Sequence, residues 1–348
     1  MQIFWFCIVA LMIAIYVILD GFDLGAGVVN LLVSKTDEDR AKILKAIGPY
    51  WDGNEVWLLA AGGVLYFAFP RLYASSFSGF YLPLSIVLWL LMLRGLGIEF
   101  RHHIDHPLWH SFWNTLFSFS SLLLAVFFGA ALGNVVRGVP LNAEGYFFEP
   151  LWTTFTIVPD AGILDWFTVL MGLVALCILT AHGANYIAMK TEGTLQSGSR
   201  SLAQKVWWLV VLFSILTLIS AFSIRHGLEE NYISQPWGMI FPVGAVAALV
   251  GMYVFSHKGD DAKAFFSSSV FIAAMLCSTA FGMFPNVLPA STDERYGLTI
   301  YNSCAGDYGL GIGARWWLLG LVLASGYFYY LYRSFRGKVV IEAGESGY

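Results

Sequence analysis

The chain has 348 residues, of which 58% are hydrophobic, 17% aromatic and only 12% charged, with a net charge of −4. Soluble domains carry about 25% charged residues, so the composition excludes a soluble globular protein and indicates a polytopic membrane protein. The near-neutral charge singles out no charged partner, and no nucleic acid is expected.

In chain order, runs long enough to cross a bilayer, about 20 residues each, give nine expected spans. They cover 3–33, 50–69, 79–100, 112–135, 162–189, 206–224, 237–255, 265–284 and 312–331. The first starts without a basic region and continues into Asp20-Gly-Phe-Asp23 without a cleavage site, so it reads as a span rather than a signal peptide. The second opens on Trp51-Asp-Gly-Asn-Glu-Val-Trp57, two carboxylates and an amide at the head of an apolar run. The outer connections 136–161 and 285–311 are the longest and read as ordered lids or docking surfaces. Gly25-Ala-Gly27 and Gly311-Ile-Gly313 lack the third glycine of a dinucleotide-binding turn and read as close helix contacts. Cys7, Cys177, Cys277 and Cys304 have no Cys-x-x-Cys spacing and read as core thiols, not a zinc site or a disulfide framework.

Lys and Arg set the orientation. Fourteen of the 19 fall on the side that holds Lys35 to Lys45 and the C-terminal tail, and five on the other. The N-terminus is therefore expected outside and the C-terminus in the cytoplasm. At 1.5 Å per residue, Asp20 lies about 26 Å into the first span, near the inner boundary, with Asp23 one turn further on. The second span starts at that boundary with Asp52 and Glu55, and the third arrives there with Arg94, Glu99 and Arg101.

The i, i+3 spacing puts Asp20 with Asp23, and Asp52 with Glu55, on one helix face each. Two readings stay open: a structural ion-pair network centred on Arg94, with Glu99 and Arg101, or a proton inlet in which acid exceeds base. In the second, Asp52 is the first station, flanked by Gly53 and Asn54, and Glu55 is the next. Trp51 and Trp57 read as anchors at the interface and against a neighbouring helix.

His102, His106 and His110 share i, i+4 spacing in an inner connection, without the Cys or Glu-x-x-His pattern that would support a metal site. His182 is alone inside a span and reads as a hydrogen-bonded core residue, so no haem, metal or other cofactor is expected on this chain.

The motifs Asp20-Gly-Phe-Asp-Leu-Gly25, Trp51-Asp-Gly-Asn-Glu-Val-Trp-Leu58, Phe69-Pro-Arg-Leu-Tyr73, Arg94-Gly-Leu-Gly-Ile-Glu-Phe-Arg101 and Gly183-Ala-Asn-Tyr-Ile-Ala-Met-Lys190, in this order, resemble subunit II of the bacterial cytochrome bd quinol oxidases over almost the whole length. The resemblance implies an all-α protein of nine spans arranged as two four-helix bundles plus a peripheral helix. These would occupy 1–135, 162–284 and 312–334 of a single membrane domain covering 1–348. It further implies a haem-bearing subunit I as heterodimer partner in the bacterial inner membrane, carrying two b-type haems and one d-type haem, with quinol as substrate of the complex. Quinol oxidation and reduction of oxygen to water would be electrogenic without pumping, and this chain alone would not be catalytic. It also implies a proton path through Asp52 toward the partner. A small single-span accessory subunit and bound lipid stay open. Alternatives from other classes are a stand-alone proton- or ion-coupled transporter and a purely structural membrane partner.

Overall fold

The computed structural model describes residues 1–158 and 161–340. Two residues of the first long outer loop and residues 341–348 of the expected domain lie outside the described residues. The first helix, α1 (Gln2–Leu32), is followed by α2 (Asp37–Ile47). A capping box starts α2: the Thr36 hydroxyl accepts the Asp39 N–H at 3.1 Å, and the Asp39 carboxylate accepts the Thr36 N–H at 3.1 Å. Next come α3 (Trp51–Ala68), α4 (Pro70–Gly79) and α5 (Tyr81–Phe100). Pro70 opens α4, a position where a missing N–H leaves no helix bond unmade, so the chain breaks after Phe69 and resumes as helix.

The order continues with α6 (Pro107–Arg137), α7 (Trp166–Lys190), α8 (Gly193–Ile224), the short α9 (Glu230–Ser234), α10 (Ile240–Lys258), α11 (Asp261–Met283) and α12 (Asp307–Ser334). An antiparallel hairpin of β1 (Asn286–Leu288) and β2 (Leu298–Thr299) sits in the connection before α12, with Leu288 opposite Leu298.

Eight of these helices are long and apolar enough to cross a membrane: α1, α5, α6, α7, α8, α10, α11 and α12. The second expected span is the helix α3, with 18 residues. It is not among the eight, because Asp52, Asn54 and Glu55 in its first turns dilute its apolar character. The segment after Phe69, which falls between two expected spans, is helical as α4. Helix α8 starts at Gly193 rather than Val206; its polar first turns are tied to α11 by Arg200, whose Nε and Nη2 donate to Asp261 at 2.8 Å each.

Helix α1 is central and packs on α3, α6, α7 and α11, while α5 packs on α6, α8 on α7 and α10 on α11. Glycine makes the tightest crossing. A Cβ on Gly25 would lie 2.0 Å from the Leu179 carbonyl oxygen and 2.7 Å from the Gly183 Cα, so α1 and α7 touch backbone to backbone. Gly27 is a close contact too, against Ser121, and Gly313 meets the Phe67 ring, whereas Gly311 has nothing near it.

Phe22, Val29, Ile43, Leu44 and Tyr186 form the core at one end of the molecule, and Trp5, Phe69, Val139, Leu141 and Leu298 at the other. Large apolar side chains such as Leu216, Val246, Val322 and Tyr330 point outward on α8, α10 and α12. The cysteines are free but none is buried: Cys7 is exposed and the others are half-buried. An apolar run does not distinguish a lipid-facing side from a core-facing one, which is why the core reading of these thiols fails. The two long connections meet: the Val139 N–H donates to the Pro289 carbonyl at 3.0 Å, and the Ser291 N–H to the Val139 carbonyl at 2.8 Å.

Candidate functional site

Polar side chains meet where α1, α3 and α5 converge. Asp20, Asp23, Asn54 and Arg94 are fully buried at 0% exposure, and Glu55 retains 25% side-chain exposure. Arg94 bridges two helices: Nη1 donates to Asp20 Oδ1 at 2.6 Å on α1, and Nη2 to Glu55 Oε2 at 2.8 Å on α3. Asp23, one turn on from Asp20, receives the Asn54 Nδ2 hydrogen at 2.8 Å, and the same Nδ2 donates to the Leu19 carbonyl at 3.2 Å.

Among the described residues, Asp20 Oδ2, Asp23 Oδ1 and Arg94 Nε are buried without a hydrogen-bond partner. One guanidinium therefore bonds two carboxylates, buried Asp20 and partly exposed Glu55, while Asp23 is buried beside them with only the Asn54 amide as its donor among the described residues. That balance is costly unless the cluster binds protons, because a buried charge needs a partner.

The other expected site residues lie around this centre. Asp52 is exposed on the first turn of α3, where its Oδ1 accepts the Gly53 N–H at 2.6 Å. Glu99, also exposed, lines with Glu55 an apolar groove of about 460 Å³ between α3 and α5, whose walls include Trp51, Leu59 and Met92. Arg101 does not join Arg94. It donates to Asp37 at 2.7 Å and to Asn114 at 3.0 Å, and so pins α2 to the start of α6. Trp57 rests against Phe328 of α12, and Trp51 lies beside Gly95.

Three features escaped sequence reasoning. At the end that holds the acid cluster, the Tyr332 hydroxyl of α12 donates to Asn54 Oδ1 at 3.3 Å, and Tyr332 stacks on Tyr50 with ring centroids 4.6 Å apart. Lys190 then ties the end of α12 down, donating to the Phe335 carbonyl at 2.7 Å and to the Tyr50 hydroxyl at 3.2 Å. At the opposite end, buried Arg137 pairs with both Glu149 and Asp165. Only this last feature had a local signal, since Asp165 three residues before Thr168 is the pattern of a helix-starting capping box.

The histidines do not form a cofactor site. His182 Nδ1 bonds Ser268 Oγ at 2.7 Å and Nε2 bonds the Ile18 carbonyl at 2.9 Å, so neither nitrogen is free to ligate a haem iron. His110 faces Asp37 at 3.2 Å, and no group of His, Cys, Asp and Glu among the described residues is arranged to hold a metal. His182, the histidine inside a span, thus does not fit axial haem ligation.

Comparison with known proteins gives one consistent result. Residues 1–335 match the family described as cytochrome bd terminal oxidase subunit II. The chain is 31% identical to a probable cytochrome oxidase subunit 2 of Haemophilus influenzae, covering 97% of this chain and 94% of that one. It is 30% identical to the cytochrome bd ubiquinol oxidase subunit 2 of Bacillus subtilis, over 94% and 95% of the two chains. To the cytochrome bd-I ubiquinol oxidase subunit 2 of Escherichia coli K12 it is 28% identical, over 90% and 88%. Its fold matches a chain of the bd oxidase from Geobacillus thermodenitrificans with a TM-score of 0.75 at 17% identity, covering 96% and 98% of the two chains.

Proposed function

This chain belongs to the family of cytochrome bd terminal oxidase subunit II, and on that premise we propose that its buried cluster of acids around Arg94 takes up protons from the cytoplasm and passes them toward a haem-bearing partner subunit. As a subunit of such an oxidase, it is a multi-pass protein of the bacterial inner membrane. The carrying observation is the imbalance at Arg94: its guanidinium bonds Asp20 and Glu55 while Asp23 is buried one turn from Asp20 without a cation of its own, and among the described residues one oxygen of each aspartate has no hydrogen bond. A group in that position binds and releases protons as its surroundings change.

In this reading, nine spans form two four-helix bundles and a peripheral α12, with the N-terminus outside. Asp52, exposed on the first turn of α3, collects protons. Glu55, one turn deeper and still partly exposed, hands them to the buried pair Asp20 and Asp23. The partner, a subunit I with two b-type haems and a d-type haem, supplies quinol oxidation and the reduction of oxygen to water, which consumes protons. This chain's part is to hold and move protons and to support assembly of that partner.

A second reading is a structural lock, favoured by the Arg94 fork that joins α1, α3 and α5 in one place. Oxygen consumption and haem content of the purified complex, measured across pH for Asp52→Asn, Glu55→Gln and Asp23→Asn, separate the two. A proton inlet requires that Asp52→Asn retain its haems and lose ~10-fold or more of its turnover. Normal turnover at every pH in that variant overturns the inlet, and loss of haem in step with loss of turnover identifies the lock.

A further inference from the structure

The amide of Asn54 is fully engaged. Both hydrogen bonds from Nδ2 go to acceptors on α1, the Leu19 carbonyl and the Asp23 carboxylate, and Oδ1 accepts the Tyr332 hydroxyl from α12. Asn54 has no exposure to solvent. Helix α12 is otherwise lightly held: among its described residues only Leu310 and Leu331 are buried. The end that carries Tyr332 is seated by Tyr332 on Asn54 and Tyr50, by Phe328 on Trp57, and by Lys190 and the Tyr50 hydroxyl, which both donate to the Phe335 carbonyl.

We propose that Tyr332 is a positioning residue, which by holding the Asn54 amide against Asp23 couples the proton affinity of the acid cluster to the seat of α12. The groups that face Asp23 are Asp20 on its own helix, Glu55 on α3, Arg94 on α5, Tyr186 on α7 and Tyr332 on α12. Among the described residues, the Asn54 amide is the donor to the Asp23 carboxylate, and a donor there favours the ionised form. The phenol polarises that amide and fixes its orientation. Without the phenol, Asn54 Oδ1 is buried with no donor, and relaxation of the amide weakens its hold on Asp23. The inference concerns how Asp23 is tuned, and it rests on the proton-handling reading above only for the effect on turnover.

The test uses the purified complex with its haem-bearing partner and two readouts. Infrared difference titration follows the protonated-carboxyl band that disappears in Asp23→Asn, and oxygen consumption is measured against pH. Tyr332→Phe keeps the ring that stacks on Tyr50 and removes only the hydroxyl. It is expected to move the Asp23 midpoint up by ~0.5 pH unit or more, a three-fold or larger change in proton affinity, and to move the turnover profile the same way. 3-Fluorotyrosine at position 332, a stronger donor of nearly the same shape, is expected to move the midpoint down. An Asp23 midpoint that neither change moves overturns the inference. A midpoint that moves while the turnover profile stays in place upholds the positioning role and overturns the proton relay. If the phenylalanine variant does not assemble, the fluorotyrosine arm alone decides.

Discussion

Arg94 is fully buried and its two bonds hold carboxylates on two different helices, so its chain length and planar fork both matter. Arg94→Met leaves buried carboxylates without their cation and is expected to cost about 3–5 kcal/mol, read as a lowered unfolding midpoint and a reduced haem yield of the complex. Adding Asp20→Asn to that variant restores part of the loss, since it removes one of the stranded charges; no recovery means the arginine acts through packing instead.

The opposite end of the molecule repeats the pattern with a different outcome. Arg137 serves both Asp165 and Glu149, and burial pushes the Glu149 carboxyl up to about 7, more than the attraction of Arg137 pulls it down, with Asp165 adding repulsion. Because the folded value lies above the ordinary one, the stabilisation is complete below the usual carboxyl range and is lost as pH rises through about 7. The complex is thus expected to lose up to about 3 kcal/mol between pH 5 and 8 from this site. Unfolding midpoints across that range, flattened in Glu149→Gln, check it. Acids inside apolar runs were legible in the sequence because each is an exception to its surroundings. Tyr332 and Lys190 were not, because an aromatic or a basic residue at the inner end of a span is ordinary, and only the folded chain brings them to Asn54 and to the Phe335 carbonyl.

At the level of elements, the site depends on how closely α1 approaches α7. Gly25 and Gly183 meet backbone to backbone, and a Cβ on Gly183 would lie 2.3 Å from the Gly25 carbonyl carbon, where nothing can swing aside. Gly183→Ala is expected to push α1 outward and destabilise the complex by about 1–3 kcal/mol, while Gly320→Ala on α12, where a Cβ meets nothing, stays neutral. Differential scanning fluorimetry of the two variants side by side decides, and equal midpoints would show that the crossing tolerates separation. Hydropathy located the helices well, since a bilayer imposes one length on them all. It misplaced the ends where polar turns extend a helix past the apolar stretch, as at Gly193, and it passed over α4, whose Ser75 and Arg71 carry little apolar signal. The Gly-x-Gly pairs were read alike although only three of the four glycines lie against a neighbour, because the spacing shows a small residue but not what faces it.

For the whole molecule, the question is whether α3 crosses the membrane. Eight spans would return both termini to one side, and nine put them on opposite sides. Asp20, in the second half of α1, and Arg94, in the second half of α5, are joined at 2.6 Å, so these two helices reach one level after a long apolar run each, and on that reading run in the same direction. The chain between them must therefore return across the same thickness. Helix α3 starts at that level, where Glu55 bonds Arg94, and ends where Phe67 packs on Trp5 at the start of α1, with ring centroids 5.4 Å apart. At 1.5 Å per residue its 18 residues reach about 27 Å, close to the apolar thickness of a bilayer. With α3 as a span, the excess of Lys and Arg on the side of α2 and the C-terminal tail is expected to face the cytoplasm. Fusions to the full complex test this. Alkaline phosphatase inserted after Glu144 in the first outer loop is expected to be active, and a fluorescent protein at the C-terminus to be bright. An inactive phosphatase at Glu144, or a phosphatase that is active at the C-terminus, would leave α3 on one side of the membrane and with it separate Asp52 from the cytoplasm it is proposed to draw on.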